Sequence, residues 1–496
     1  MRTSGILMPV ASLPSPYGIG TLGQAARDFV SFLVQAGQTH WQVLPVGPTG
    51  YGDSPYQSFS SFAGNPYFID LDDLARDGLL LPQEYQSLSW GDDPGLVDYG
   101  LLYRQRFPVL RRAVSRLIIR YPQPLAQFCR AEQDWLESYA RFMAFKEHFG
   151  GGRWSQWPEP IRRRHPQAVE ELAQTLSPEI TFWKGVQYLF FHQWKALKAF
   201  ANAQGISIIG DLPIYVSGDS ADVWADPQQF QLDDDLCPTE VAGCPPDGFS
   251  EDGQLWGNPL FDWESMAQNR FAWWMRRVAF QFSIYDILRI DHFRGFDSYY
   301  AIPVGDENAR RGRWRPGPGI HFFNVLKETL GDRPIIAEDL GFLTPSVHQM
   351  LSDTGYPGMK VLEFAFDRRD SGQNLYLPHN YPVNCIAYVG THDNDTALGW
   401  TQTAHPEDVA AARDYLNLTP EEGAHWGMMR GIWASAARYT IVQMQDVLGL
   451  GSEGRINTPS TTGDNWKWRA APGFDAPELA QRLHRMTRLY GRLRQA

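Results

Sequence analysis

Three carboxylates in the second half of the chain each follow closely on a short, mostly apolar run. Asp291 follows the run 287–290, Glu338 follows 335–337, and Asp393 comes shortly after 386–389. Buried strands that end on the same side of a sheet would bring these acids into one pocket, where each changes the pKa of the others. The alternative is that each acid caps the helix that follows. Three such acids, with His and Arg beside them, favour an active site for acid–base chemistry.

A cation lies two residues before the first of these acids. Side chains alternate faces along a strand, so Arg289 and Asp291 point the same way, and in a barrel that direction can be the mouth. A nearby guanidinium favours the ionised acid that a nucleophile must be, whereas the alternative is a structural ion pair. If the carboxyl groups of Asp291 and Glu338 lie about 5–5.5 Å apart, the pair fits a retaining glycosidase. The charge of Asp291 would then keep Glu338 protonated as the acid.

Two of these assignments stay open on the residues alone. Asp339 directly follows Glu338, and Asp395 lies two positions after Asp393. Either member of each pair could face a pocket, because the side-chain direction just beyond a strand end does not follow from spacing.

A scaffold is needed that brings several strand ends together. Runs typical of buried strands cover residues 5–10, 39–46, 206–211, 284–291, 334–338, 359–364, 384–389 and, less clearly, 454–457. Helical patterns cover residues 22–36, 135–149, 186–203, 266–282 and 322–330. This alternation predicts the α/β class and a (β/α)8 TIM barrel, into which largely helical subdomains are inserted.

The uneven spacing of the runs predicts where the insertions lie. We expect one catalytic barrel domain over residues 1–496, with a helical insertion at about 67–180 between the second and third strands. A second insertion is expected at about 213–265. Its segment 243–259 is rich in Gly and Pro, which predicts a mobile loop that closes over a ligand.

Composition excludes several classes of partner. A formal charge of -12 argues against nucleic acid and anionic membranes, which both require a basic surface. Four cysteines without a CxxC pair, no apolar stretch near 18 residues and no signal-peptide core predict a cytoplasmic protein. An aromatic content of 14% points weakly to carbohydrate, because Trp and Tyr faces stack on sugar rings.

No cofactor or metal is expected from the motifs. Residues 18–23 satisfy G-x-G-x-x-G, but seven residues separate them from the first predicted strand, and no acid ends the second one. A dinucleotide site is therefore rejected. No Walker loop, HExxH motif or Cys/His cluster with metal spacing is found.

Six motifs together resemble one enzyme family. They are RIDHFRG (289–295), AEDLG (337–341), THDND (391–395), GYGDSPY (50–56), GDLPIYV (210–216) and PPDGFS (245–250). In their order along the chain they resemble the 4-α-glucanotransferases of glycoside hydrolase family 77, and the likeness extends from Pro9 to Trp468.

The resemblance implies roles for named residues. Asp291 would be the nucleophile, Glu338 the general acid/base and Asp393 the third acid, which orients the sugar hydroxyls and stabilises the transition state. Substrate contacts are implied for Asp211, Arg289, His292 and His392 around the sugar next to the broken bond, Tyr56 and Trp256 as stacking platforms, Phe249 in the lid, Tyr51 in a second glucan site, and Asn457.

The implied activity is transfer of an α-1,4-glucan segment to the 4-hydroxyl of an acceptor glucan or glucose. Its partners would be maltooligosaccharides and amylose, with no nucleic acid and no membrane, in a monomer or weak homodimer. An α-amylase-type hydrolase uses the same intermediate and is the first alternative, and a non-catalytic glucan-binding protein is the second. The aromatic residues Phe249 and Trp256 favour transfer, since such a cover excludes water and holds an acceptor.

Overall fold

The computed structural model describes residues 2–50, 52–246, 251–341, 343–366, 374–461 and 463–494. The strands in these ranges are β1 (Thr3–Leu7), β2 (His40–Gln42), β3 (Ser207–Leu212), β4 (Glu240–Cys244), β5 (Gln254–Pro259), β6 (Ile287–Ile290), β7 (Ser298–Pro303), β8 (Arg313–Pro316), β9 (Ile335–Ala337), β10 (Gly358–Val361), β11 (Cys385–Tyr388) and β12 (Tyr439–Gln443).

The α-helices of the same ranges are α1 (Gln24–Gln35), α2 (Leu71–Arg76), α3 (Tyr99–Arg120), α4 (Pro122–Ala131), α5 (Gln133–His148), α6 (Glu159–Arg162), α7 (Pro166–Thr175), α8 (Ser177–Ala203), α9 (Ala221–Ala225), α10 (Trp263–Gln268), α11 (Ala272–Ile284), α12 (Ile320–Leu330), α13 (Pro345–Thr354), α14 (Ala397–Thr403), α15 (Pro406–Leu416), α16 (Ala424–Ala434), α17 (Met444–Leu448) and α18 (Pro477–Leu489). None of these helices combines the length and the apolar composition needed to cross a lipid bilayer.

A closed parallel barrel organises the chain. Its strands follow one another around the barrel as β1, β12, β11, β10, β9, β6, β3 and β2. They are short and apolar because helices cover the outside while side chains fill the interior. Leu7, Ile209, Ile336, Ile386 and Ile441 form one apolar cluster that is almost completely buried. The predicted (β/α)8 barrel is confirmed.

One predicted strand is wrong. Residues 454–457 form no strand, and β12 closes the barrel by pairing with β1 and β11. The signal for β12 is its run of β-branched residues, Thr440, Ile441 and Val442. The run 454–457 contains one β-branched residue, Ile456, which belongs to the same buried apolar cluster. The other seven runs each overlap a barrel strand.

The predicted helix 266–282 is two helices. α10 ends at Gln268 and α11 begins at Ala272. Arg270 and Phe271 between them have φ of 56° and 54°, in the left-handed region that a right-handed helix cannot include. The other helical predictions are confirmed, and the pattern 186–203 is the second part of the longer α8.

Helices α2 to α8 lie between β2 and β3, where the helical insertion is predicted. Their buried side chains belong to the same hydrophobic core as those of the barrel. Phe142 of α5 and Trp224 of α9, for example, have ring centroids 6.1 Å apart. The division of this region into an inserted subdomain stays a prediction.

An antiparallel sheet adjoins the barrel mouth, in the order β5, β4, β7 and β8. It combines the insertion after β3 with the segment after β6. Sequence analysis predicts a loop over 243–259, but β4 runs to Cys244 and β5 begins at Gln254. Residues 247–250 in the middle of this segment lie outside the described residues, and its mobility stays a prediction.

Candidate active site

The charged residues singled out by sequence lie where the barrel strands end. Asp211 is the second-to-last residue of β3, Arg289 is in β6, and Asp291 directly follows β6. Glu338 directly follows β9, and Asp393 lies five residues beyond the end of β11. All of them are at the carboxyl ends of parallel strands, the face at which TIM barrels carry active sites.

Arg289 joins two of these carboxylates. Its Nη1 lies 2.7 Å from both carboxylate oxygens of Asp211 and 3.0 Å from Oδ1 of Asp291. Its Nε donates to the sulfur of Met359 at 3.3 Å. The guanidinium is almost completely buried, with 4% of its side chain exposed, so its position is tightly set. The predicted contact with Asp291 is present, together with a second acid, Asp211, from the neighbouring strand.

Asp291 is less acidic than an ordinary aspartate. Its pKa is raised to about 6. Burial is the largest cause, the charge of Arg289 opposes it, and the charge of Asp211 adds to it. Arg289 therefore acts in the predicted direction, but burial is the larger cause and outweighs it. At neutral pH the carboxyl group of Asp291 is still ionised.

Glu338 is held by the main chain of two loops. Its Oε2 accepts a hydrogen bond of 2.7 Å from the backbone N–H of His292, and its Oε1 accepts one of 2.9 Å from that of Leu340. Burial raises the pKa of Glu338 to about 8, and the charge of Asp291 is the next largest cause. The carboxyl group of Glu338 is therefore protonated at neutral pH, beside an ionised Asp291.

Hydrogen bonding distinguishes the two acids within each of the pairs Glu338/Asp339 and Asp393/Asp395. Asp339 accepts a 2.6 Å hydrogen bond from the backbone N–H of Met359 on the neighbouring strand. Asp395 accepts one of 2.6 Å from the hydroxyl of Ser452 and one of 2.8 Å from the backbone N–H of Thr396. Both are buried and tie loops together. This arrangement favours Glu338 and Asp393 as the acids available to a ligand.

Asp393 keeps 46% of its side chain exposed and is oriented by two neighbours. The amide of Asn457 donates to its Oδ1 at 2.6 Å, and Nε2 of His392 lies 3.3 Å from its Oδ2. Arg455 was not singled out by sequence, and it donates to the main-chain oxygen of Asp393 at 2.8 Å. The sequence signal that could have identified Arg455 is its position two residues before Asn457, a predicted site residue.

Tyr56 connects the two sides of the site. Its hydroxyl donates to Oδ2 of Asp211 at 2.7 Å, and its ring stacks on His392 with centroids 5.2 Å apart and 14° between the planes. Trp466, to which the sequence assigned no role, has its ring centroid 5.9 Å from that of Tyr56 and 6.0 Å from that of His392. One ring face of Tyr56 is thus occupied by protein.

His292 lies between the barrel and the antiparallel sheet. Its φ of 52° places it in the left-handed region, at the start of the 3-10 turn Phe293–Phe296. Trp256 of β5 packs edge-on against its ring, with centroids 4.9 Å apart. Burial, with the charge of Arg294 as the second cause, lowers the pKa of His292 to about 4, so the imidazole is neutral at pH 7. Its Nε2 is buried with no hydrogen-bond partner among the described residues.

Two predicted site residues, Tyr51 and Phe249, lie outside the described residues. Within the described ranges, no group of His, Cys, Asp and Glu side chains has the geometry to hold a metal ion. The carboxyl groups of Asp291, Glu338 and Asp393 at the barrel mouth are suited to proton transfer and to nucleophilic attack.

Comparisons with known proteins agree with this geometry. A family model described as 4-alpha-glucanotransferase matches residues 8–474. The chain is 48% identical to the 4-alpha-glucanotransferase of Clostridium butyricum over 487 residues, covering 98% of this chain and 100% of the relative. It is 47% identical to that of Thermus thermophilus over 503 residues, covering 99% of each. Among solved structures, the amylomaltase from Streptococcus agalactiae in complex with acarbose is similar, with a TM-score of 0.97, 43% identity and full coverage of both chains.

Proposed function

The chain belongs to the 4-alpha-glucanotransferase family, glycoside hydrolase family 77, and on that premise we propose that it transfers α-1,4-glucan segments by a retaining double displacement. The donor is a maltooligosaccharide or starch chain, and the acceptor is the 4-hydroxyl of another glucan or of glucose. The single observation that carries the mechanism is the contrast between two neighbouring acids: Arg289 contacts the Asp291 carboxylate at 3.0 Å, whereas burial and the charge of Asp291 raise the pKa of Glu338. Near pH 7 one is ionised and the other is protonated.

In the first step the Asp291 carboxylate attacks the anomeric carbon of the donor. A bond forms between Asp291 and that carbon as the glycosidic bond breaks, and Glu338 gives its proton to the departing oxygen. The leaving chain departs with a free 4-hydroxyl. The products at the enzyme are a glycosyl ester on Asp291 and an ionised Glu338.

The second step depends on the change of charge in the first. An esterified Asp291 is neutral, so it no longer raises the pKa of Glu338. The backbone N–H groups of His292 and Leu340 then stabilise the Glu338 carboxylate. Glu338 takes the proton from the acceptor 4-hydroxyl, whose oxygen attacks the anomeric carbon, and Asp291 leaves as a carboxylate. Two inversions give net retention.

Asp393 is proposed to hold the hydroxyls of the sugar at the reacting position. Its contacts with Asn457 and His392 support this role, because they orient a carboxylate that remains nearly half exposed. A fixed carboxylate also favours the positive charge that develops at the anomeric centre in the transition state.

A sugar hydroxyl must reach the glycosyl ester before water does. The aromatic contact between Trp256 and His292 at the edge of the site supports transfer, because an apolar cover excludes water and gives an acceptor sugar a surface on which to pack. The alternative of an α-amylase-type hydrolase uses the same acids and differs in this step alone.

The test is the product profile from maltotriose as sole substrate, with reducing ends assayed in parallel. We expect glucose together with a ladder of longer chains at nearly constant reducing ends. Rising reducing ends with only shorter products would make the protein a hydrolase. The D291N variant is the control, and its transfer rate should fall by at least about 10³-fold. Undiminished transfer by D291N would overturn the mechanism.

A further inference from the structure

We propose that Arg455 is the positioning residue for Asp393, holding in register the two loops that form this side of the site. This inference rests on the proposed function, because it requires that Asp393 contacts the substrate. Arg455 itself is not assigned a contact with the sugar or with the reacting atoms.

The contacts form a closed ring of three residues. Nη2 of Arg455 donates to the main-chain oxygen of Asp393 at 2.8 Å, and its Nε donates to that of Asn457 at 2.8 Å. The Asn457 amide completes the ring with its 2.6 Å hydrogen bond to Oδ1 of Asp393. Asp393 belongs to the loop after β11, whereas Arg455 and Asn457 belong to the segment after β12.

The planar guanidinium is what makes this ring rigid. Its Nε–H and Nη–H groups have a fixed mutual geometry, so the two carbonyls that accept from them are held at a set separation. Packing cannot supply the same constraint, since the Asp393 side chain is 46% exposed. A loss of register between the loops would turn the Asp393 carboxylate away from its position, and displacement of a catalytic group by about 1 Å can cost about 100-fold in rate.

The charge of Arg455 has a buried counterpart. Glu363, two residues after the end of β10, is 6% exposed, and burial raises its pKa well above the ordinary value. Asp446 and Asp395 raise the pKa of Glu363 further, while Arg455 lowers it. The charge of Arg455 therefore also influences a buried acid, and a substitution at 455 must keep the positive charge if it is to test position alone.

The R455K variant tests the position of the side-chain donors while keeping the positive charge. Lysine keeps the charge near Glu363 but offers a single ammonium centre in place of the planar fork. We expect R455K to melt within a few degrees of the wild type, with kcat for maltotriose disproportionation lowered about 10- to 100-fold and KM changed much less. R430K is the matched control. Arg430 lies on α16, and like Arg455 it donates to a main-chain oxygen, that of Leu416 at 2.8 Å; it also donates to the Glu422 carboxylate at 2.8 Å. Its kcat should equal that of the wild type.

A double-mutant cycle shows whether Arg455 acts through the ring. N457A removes the side-chain member of the ring, so the R455K/N457A variant should lose little more kcat than the more impaired single variant. Fully additive losses would overturn the inference. If R455K fails to fold, N457A at a normal melting temperature tests the ring instead: a kcat lowered by about 10-fold or more supports the inference, and an unchanged kcat overturns it.

The D393N variant separates this inference from the proposed function. If D393N is nearly inactive while R455K keeps the wild-type kcat and KM, the positioning inference fails and the proposed mechanism stands. If D393N transfers glucan at the wild-type rate, the role proposed for Asp393 fails, and the inference fails with it.

Discussion

The hydroxyl of Tyr56 donates a 2.7 Å hydrogen bond to Oδ2 of Asp211. Asp211 in turn accepts from Arg289, which contacts Asp291. A ring that the sequence predicts to be a stacking platform is therefore the first member of a chain of two hydrogen bonds and one ion pair that ends at the proposed nucleophile. Burial, with the charge of Asp211 as the next cause, raises the pKa of Tyr56 well above the ordinary value, so the phenol keeps its proton to donate.

The Y56F substitution tests this chain. Phenylalanine keeps the ring that stacks on His392 but leaves one Asp211 lone pair without its donor, a loss of about 1–3 kcal/mol for a buried charged partner. We expect kcat/KM for maltotriose to fall by about 10-fold or more, with little change in the protein fold by circular dichroism. Wild-type activity in Y56F would show that stacking is the only role of Tyr56.

The pH dependence of transfer follows from the two raised pKa values. Asp291 must be ionised, so activity should fall below about pH 6, and Glu338 must be protonated, so activity should fall above about pH 8. We expect a bell-shaped profile of kcat/KM with its maximum near pH 7. Initial rates of glucose release from maltotriose over this range measure it, and a profile that rises steadily to pH 9 would contradict the assignment of Glu338 as the acid.

The E338Q substitution should destabilise the protein as well as inactivate it. Each carboxyl oxygen of Glu338 accepts a backbone N–H, so a glutamine must place its NH2 group against one of those donors. We expect a loss of about 1–3 kcal/mol in the free energy of unfolding. Chemical denaturation measures it, and D291N is the comparison, because Asp291 accepts no backbone N–H at its carboxylate among the described contacts.

The neighbouring acids Asp393 and Asp395 should respond in opposite ways to the same change. D395N weakens the hydrogen bonds to Ser452 and Thr396, so we expect a lower melting temperature with nearly normal kcat per folded molecule. D393N alters a half-exposed side chain, so we expect a normal melting temperature and a loss of at least about 100-fold in kcat. A D395N variant that folds normally but is inactive would reverse the two assignments.

The hydrophobic pattern was sufficient for the barrel and for most of its strands. Buried strands and the helices that cover them have different apolar periods, and both periods are properties of neighbouring residues. The exception is β12, whose run of β-branched residues lies between polar ones. The turn at Arg270 and Phe271 was also missed, because a left-handed backbone at a residue other than glycine has no clear sequence signal.

By itself the sequence determined that Asp291, Glu338 and Asp393 meet at one end of a barrel, because parallel strands carry their final residues to the same edge. Only the tertiary structure decided that Asp339 and Asp395 are buried, and that Arg289 contacts both Asp211 and Asp291. It also decided that burial, more than the charge of Asp291, raises the pKa of Glu338. The physical reason is that desolvation and hydrogen bonding depend on groups from distant parts of the chain, and their distances exist only once the loops after the strands have packed together.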